Sequence, residues 1–258
     1  MICAVDQVPY GPVLSGRLGR SPGVDMISRI DKTCSFDCAH CQLGPTRHHT
    51  AERSEFVPLA QLADELRPVS ETDLDHVAFS GTGEPTLAAN LGEAISLVKD
   101  RFAVPATVLT NASLMSDPQV RRDLAEADEV VATLAATTQR LLEDISRPVP
   151  EITLVKLLTG LHLFRSEYRG RLALQIMFYR ANSHWATALA ALARGIGPDE
   201  VQINTPLRPC PVRPLPPDEI AEITSVFSDL PVRPVCDSPG TIVHPFSMSE
   251  TLARRAVP

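Results

Sequence analysis

Lysine is nearly missing from this chain. Lys32, Lys99 and Lys156 stand against 21 arginines, and the formal net charge is −7. A net acidic chain has no long-range pull on nucleic acid, which weighs against an RNA substrate, although local arginine patches could still bind phosphate. No apolar run approaches the roughly 20 residues of a membrane span, so no membrane partner is expected. The first residues, Met-Ile-Cys-Ala-Val-Asp-Gln, lack the basic end and long apolar stretch of a secretory signal. The six cysteines show no regular pairing along the chain. That argues against a disulfide framework and for a reducing compartment, and the expected location is cytoplasmic. There is no internal repeat, and no low-complexity segment beyond one proline-rich stretch.

What is present is a regular alternation. At 258 residues and 44% hydrophobic content, one large α/β domain can bury a sizeable core. Residues 9–24, dense in glycine and proline, read as an irregular lead-in. Strands are predicted at 24–30, 76–80, 106–110, 129–134, 171–179 and 200–204. Helices are predicted at 58–66, 91–101, 117–127, 138–145, 154–164 and 185–194, several opened by Pro or Asp-Pro. Strands alternating with helices in this way mean parallel βα units. Six of them fit an α/β fold with a partial (βα)6 TIM-like barrel, whose ligands bind at the strands' C-terminal ends. Residues 1–206 would form the barrel with its lead-in. Residues 207–258 would follow as a short capping segment: a proline-rich connector (six prolines in 206–217), a helix at 217–227, and strands near 232–235 and 241–243.

The densest chemistry lies in Cys34-Ser-Phe-Asp-Cys38-Ala-His-Cys41. Thiolates so crowded repel one another unless a metal neutralises them. Structural zinc wants four closed ligands, and no obvious fourth is nearby. Iron–sulfur clusters normally take four cysteines, so three would leave one iron of a cubane free. A zinc or redox thiol site, or a non-enzymatic zinc or Fe–S binding module, is the other reading of this loop.

The CxxxCxxC spacing resembles the signature of the radical S-adenosylmethionine (radical SAM) superfamily. The resemblance implies a [4Fe–4S] cluster on Cys34, Cys38 and Cys41, with S-adenosyl-L-methionine chelated at the free iron. His40 stands where family members most often place an aromatic ring against the adenine. Gly81-Thr82-Gly83-Glu84-Pro85, just after the second predicted strand, resembles the family's SAM-amine motif. Glycine lets a backbone approach a ligand closely, and carbonyls or Glu84 can accept from an ammonium. Asn111 and Gln175 sit at or near later strand ends, where ribose or carboxylate contacts would fall, or where a polar residue simply caps the strand. Arg180 would pair with a carboxylate, and Asn204 would point toward the adenine.

The stretches 11–25, Lys32-Thr-Cys34, Cys41-Gln-Leu-Gly44, 79–87, 109–114 and 202–206 together look like the wyosine-synthase-like Fe–S oxidoreductase branch. That likeness implies an enzyme that cleaves SAM to methionine and a 5′-deoxyadenosyl radical, reduced by a partner such as flavodoxin or ferredoxin. Wyosine synthases carry extra N-terminal cysteines and a pyruvate-capturing lysine. Here the N-terminus offers only Cys3, and where many relatives have an aspartate this chain reads Thr133-Leu-Ala-Ala136. A small-molecule or peptide substrate is therefore expected, with tRNA modification second. Cys3, Cys210 and Cys236 read as ordinary buried or surface thiols rather than a second cluster. The pair His48-His49 reads as a solvated turn.

Overall fold

The computed structural model describes residues 7–69, 73–234 and 247–254. Its centre is an eight-stranded sheet in the order β1 (Pro9–Ser15), β2 (Gly19–Val24), β5 (Val77–Phe79), β6 (Ala106–Thr110), β7 (Glu129–Thr133), β8 (Arg171–Met177), β9 (Glu200–Asn204) and β10 (Val232–Pro234). A separate two-stranded ladder joins β3 (Thr33–Cys34) to β4 (His48–His49). From β2 to β10 every pairing in the large sheet is parallel, and only β1 runs antiparallel. The helices are α1 (Leu59–Leu66), α2 (Leu91–Arg101), α3 (Pro118–Ala125), α4 (Gln139–Ile145), α5 (Leu154–Glu167), α6 (Ala186–Ile196), α7 (Pro217–Ser225) and α8 (Met248–Arg254). Local signals set their ends. Asp117, Thr138 and Thr153 each accept a backbone N–H of the first helical turn, and α6 stops at Gly197 in the left-handed conformation.

The expected partial barrel is present, with one correction at its start. Residues 9–24 form the β1–β2 hairpin, and the strand expected at 24–30 ends at Val24. The cause is a strand whose glycines and proline serve special contacts. The β1–β2 register shifts between Tyr10 and Val13, around Gly11 and Pro12. Gly23 is required because the Tyr10 ring lies about 2.1 Å from where its Cβ would stand. Such positions hide the alternation that marks a strand. The hairpin brings the two sheet edges close: Arg233 of β10 donates to the Gly16 carbonyl at 2.7 Å. The chain's last described helix, α8, packs on β1, where the Gly11 N–H donates to Thr251 Oγ1 at 3.0 Å. A strand at 232–235 is found as β10. The strand expected near 241–243, and Cys3 and Cys236, lie outside the described residues.

The sheet's two faces differ sharply. One carries Val77, Phe79, Val108, Val130, Leu172, Leu174, Val201 and Ile203, all essentially unexposed and packed in one cluster with helix residues such as Leu91, Ile95, Leu161 and Leu189. The opposite face carries Thr107, Glu129, Arg171, Gln175, Glu200 and Gln202. At the strands' N-terminal ends Arg171 joins Glu129 (3.2 Å) and Glu200 (2.6 Å), closing that end with a charged plug. Replacing Arg171 by Met leaves two nearly buried carboxylates facing each other. The expected cost is roughly 1–3 kcal/mol, reduced from the fully buried case because Arg171 is half-exposed. Thermal melts of the two proteins should show that deficit.

Candidate metal centre

The cysteine loop leaves β3 and is held on both sides. The Asp37 N–H donates to the Ser146 carbonyl at 2.9 Å, Ala39 N–H to Ile145 O at 2.9 Å, and Val149 N–H to Ser35 O at 3.0 Å. These bonds fasten the loop to the residues after α4. Within the loop, Asp37 Oδ1 accepts the Thr46 N–H at 2.7 Å, and the Cys41 N–H closes a turn onto Cys38 O at 3.1 Å. All three cysteines are free thiols; Cys34 is buried, Cys38 and Cys41 half-buried. The His pair is exposed as expected, but it is a short strand rather than a turn, and His49 Nε2 lies 3.1 Å from the Ser35 carbonyl.

The Gly81–Pro85 turn is stitched to the same loop. Thr33 N–H donates to Thr82 O, and Glu84 N–H donates back to Thr33 O, each at 3.2 Å. Both glycines are dictated by protein contacts. A Cβ on Gly83 would sit 1.7 Å from the Thr33 carbonyl oxygen, and one on Gly81 2.0 Å from the Asp25 carboxylate. Glu84 is buried and pulled inward. Its Oε1 accepts from Thr110 Oγ1 (2.6 Å) and Thr86 Oγ1 (2.7 Å), and its Oε2 accepts the Asn111 N–H (2.7 Å). Burial raises the Glu84 carboxyl above the usual range, against these hydrogen bonds. Its side chain thus ties the turn to the end of β6. Asn111 then reaches the cysteine loop, where Nδ2 donates to Ser35 Oγ at 2.9 Å and lies 3.6 Å from Cys34 Sγ. Ala112, next in the chain and fully buried, takes a left-handed backbone (φ +63°), strain of the kind stored where a loop must be placed.

The other expected residues divide. His40 packs against Tyr179, ring centroids 5.7 Å apart, and neither His40 Nδ1 nor the buried Tyr179 hydroxyl has a hydrogen-bond partner among the described residues. Burial, with the charge of Lys32, pushes the His40 imidazole down to about 4, so it is neutral at physiological pH. Gln175 lies on the polar face and its Oε1 accepts from Arg17 of the hairpin. Asn204 is buried on the same face, its Oδ1 accepting the Thr205 N–H at 2.8 Å. Arg180 goes elsewhere. It is exposed and pairs with Glu219 of α7 at 2.9 Å, because β8 ends at Met177 and Arg180 lies in the turn that the Asn182 N–H closes onto Tyr179 O. Cys210 is a half-buried thiol donating to Val212 O at 3.3 Å.

Sequence reasoning missed Asp25, Lys32 and Arg254 as site residues. Lys32 is buried, with Nζ donating to Gly44 O at 3.2 Å. Burial lowers its ammonium, but the neighbouring sulfurs of Cys41 and Cys34 outweigh that and leave it raised. Burial, aided by Glu84, pushes the Cys34 thiol up to about 12, and burial raises Cys38 likewise. Bare thiolates are therefore disfavoured here, and a cationic metal core is what would stabilise them. Among the described residues no three His, Cys, Asp or Glu side chains converge as one metal ion would need, with sulfurs about 2.3 Å from the centre. Each of the three sulfurs acts on the Lys32 ammonium, so they share one neighbourhood, where Cys34, Cys38 and Cys41 would hold an iron–sulfur cluster. Two N–H donors directed at Cys34 Sγ, from Phe36 (3.5 Å) and Asn111, agree with it, since donors to cluster sulfur tune such centres.

The comparisons with known proteins converge. The Radical SAM superfamily model matches residues 30–182. A UPF0026 protein of Synechocystis sp. is 40% identical over 205 residues, covering 79% of this chain and 77% of that one. A UPF0026 protein of Methanocaldococcus jannaschii is 30% identical over 228 residues, covering 86% and 70%. Among solved structures, Streptococcus suis SuiB bound to S-adenosylmethionine superposes with a TM-score of 0.60 at 14% identity, over 79% of this chain and 48% of SuiB. This chain thus spans about half the length of SuiB. A radical SAM methyltransferase from Sphaerobacter thermophilus gives 0.59 at 19% identity, over 83% and 65%. These matches carry the superfamily and the barrel. The wyosine-synthase-like branch stays an expectation from the sequence. No helix among the described residues is long and apolar enough to cross a membrane.

Proposed function

The chain belongs to the radical SAM superfamily, and from that premise we propose that it abstracts a hydrogen atom from a small polar or peptide-like substrate held against the polar face of the barrel. Cys34, Cys38 and Cys41 would hold the [4Fe–4S] cluster, and the Gly81–Pro85 turn would meet SAM beside it. Bound there, the reduced cluster supplies the electron that cleaves SAM into methionine and a 5′-deoxyadenosyl radical, which takes the substrate's hydrogen. This chain's residues do the rest. Thr33 and Glu84 hold turn and loop together, Asn111 braces Cys34, and His40, tilted 55° against Tyr179, offers an unprotonated ring face. A ring stacked on a base needs no charge, so the depressed imidazole suits that role.

The observation that carries the reading is the pairing of Thr33, one residue before Cys34, with the Gly81–Pro85 turn. A single two-way hydrogen-bonded contact joins the two elements the family chemistry needs side by side. The substrate class is supported by the polar strand face and by the solved fold relative SuiB, one structure of which is bound to its precursor peptide SuiA. Flavodoxin or ferredoxin fits as the reductant. The decisive experiment is anaerobic reconstitution followed by reduction with SAM: 5′-deoxyadenosine should form, and its absence would sink the reading.

Transfer RNA is the competing substrate class. Binding to it would draw on phosphate contacts by arginines such as Arg208 and Arg213, which follow the C-terminal end of β9. Filter binding of bulk tRNA should be weak. Submicromolar, salt-sensitive binding that is lost in an Arg208→Ala, Arg213→Ala double variant would promote tRNA instead.

A further inference from the structure

Arg254, in the last turn of α8, is the largest fully buried side chain among the described residues. Its Nε donates to Asp25 Oδ2 at 2.8 Å, and Nη1 donates to a Glu250 carboxylate oxygen. Nη2 donates to Ser28 Oγ at 3.1 Å and to the Gln7 carbonyl, and the guanidinium lies over the Tyr10 ring. Burial alone would lower its charge affinity, and Asp25 with Glu250 more than restores it. Asp25 has a second duty. The oxygen that Arg254 holds also accepts the Thr82 N–H and the Thr82 hydroxyl, each at 2.9 Å. Its other oxygen accepts the N–H groups of Ile27 (3.1 Å) and Ser28 (3.0 Å). Gly81 has no side chain because this carboxylate fills that space. From the same helix end, the Arg254 carbonyl accepts from Gln42 Nε2, just past Cys41, at 3.4 Å.

We infer that α8 is a latch: Arg254, acting through Asp25, is a positioning residue that sets the Gly81–Pro85 turn for SAM. The reason is electrostatic. Asp25 and Glu250 are two buried carboxylates that both pair with this guanidinium. With Arg254 withdrawn, Asp25 loses its charged partner in an unexposed site, and the carboxylate must shift to improve its remaining hydrogen bonds. That shift moves the oxygen that fixes Thr82. The coupling is reciprocal by thermodynamic necessity: if docked α8 tightens SAM binding, bound SAM tightens the docking of α8 by the same factor.

The inference rests on reading Gly81–Pro85 as the turn that meets SAM, and two measurements on the reconstituted protein separate the two claims. Calorimetry on the wild-type protein tests the cofactor reading; no SAM binding overturns both. Amide exchange on that protein, with and without SAM, then tests the latch without any substitution. Ser247–Arg254 should exchange several-fold more slowly with SAM, while α7, which among the described residues makes no hydrogen bond to Asp25 or the turn, should not change. Equal exchange in α8 overturns the latch and leaves the cofactor reading standing. As a second arm, Arg254→Gln should weaken SAM binding at least tenfold at unchanged iron content, and Arg254→Lys should recover part of it. Arg254→Gln binding SAM as tightly as wild type also overturns the latch.

Discussion

Replacing Cys34, Cys38 and Cys41 together by alanine should abolish iron binding and SAM cleavage while leaving the barrel folded. Reconstituted wild-type protein should hold about four irons on this loop, and the triple variant none there. The fold should survive because the loop's placement does not depend on its sulfurs. Its backbone is fastened to residues 145–149 through Asp37, Ala39 and Val149, and by Thr33 to the Gly81–Pro85 turn. The core of the molecule lies instead between the sheet and its helices. Cys38 and Cys41 are half-buried, so truncating them opens little cavity, and Cys34 is a small side chain. Each replacement should therefore cost no more than about 1 kcal/mol of stability. Iron analysis, the visible absorbance of the cluster and a thermal melt of the apoprotein check the three parts separately. Unchanged iron and unchanged 5′-deoxyadenosine in the triple variant would remove the basis for the cofactor assignment.

Gly83→Ala should be nearly as damaging, for a different reason. The added Cβ would stand 1.7 Å from the Thr33 carbonyl oxygen, and that oxygen is backbone, so no side chain can swing aside. The same oxygen accepts the Glu84 N–H. Relief requires the turn and β3 to part, which breaks both hydrogen bonds between them and moves Cys34, the next residue. A cost of roughly 3 kcal/mol, the upper part of the usual range for overpacking, is expected in a melt, with iron retention and SAM affinity both reduced. Gly44→Ala is the control. Nothing lies within 4 Å of its missing Cβ, and only its left-handed backbone (φ +78°) objects, so about 1 kcal/mol and near-normal iron content are expected. Equal behaviour of the two variants would show that the turn-to-loop contact is not what places Cys34.

The readings that succeeded from sequence alone depend on local signals. Helix α2 and strands β6 and β9 were legible at their true ends, since apolar periodicity and flanking caps act over a few residues. The three cysteines proposed as cluster ligands stand out in sequence because their spacing is itself the chemical signal. The β1–β2 hairpin was not: Gly23 and Gly11 answer to contacts with Tyr10 and Val13, and in sequence such glycines look like loop. The glycines of the Gly81–Pro85 turn, singled out in sequence for close approach to a ligand, have a second reason visible only in the fold, as protein atoms of Asp25 and Thr33 occupy the space their side chains would need. Arg180 shows how a strand's end decides a site. The strand was expected to reach 179 but stops at Met177, and the turn that follows sends Arg180 out to Glu219 while Tyr179 packs on His40.

By itself, then, the sequence determined the alternating βα architecture and the family it belongs to, both of which are written within short windows. Only the tertiary structure decided which charges compensate one another. Asp25 meets Arg254 across 229 positions of chain, and Arg171 gathers Glu129 and Glu200 from two different strands. No periodicity or spacing encodes such partners, because a buried charge is stabilised by whichever opposite charge the finished fold brings within a few ångströms, however far away along the chain it began.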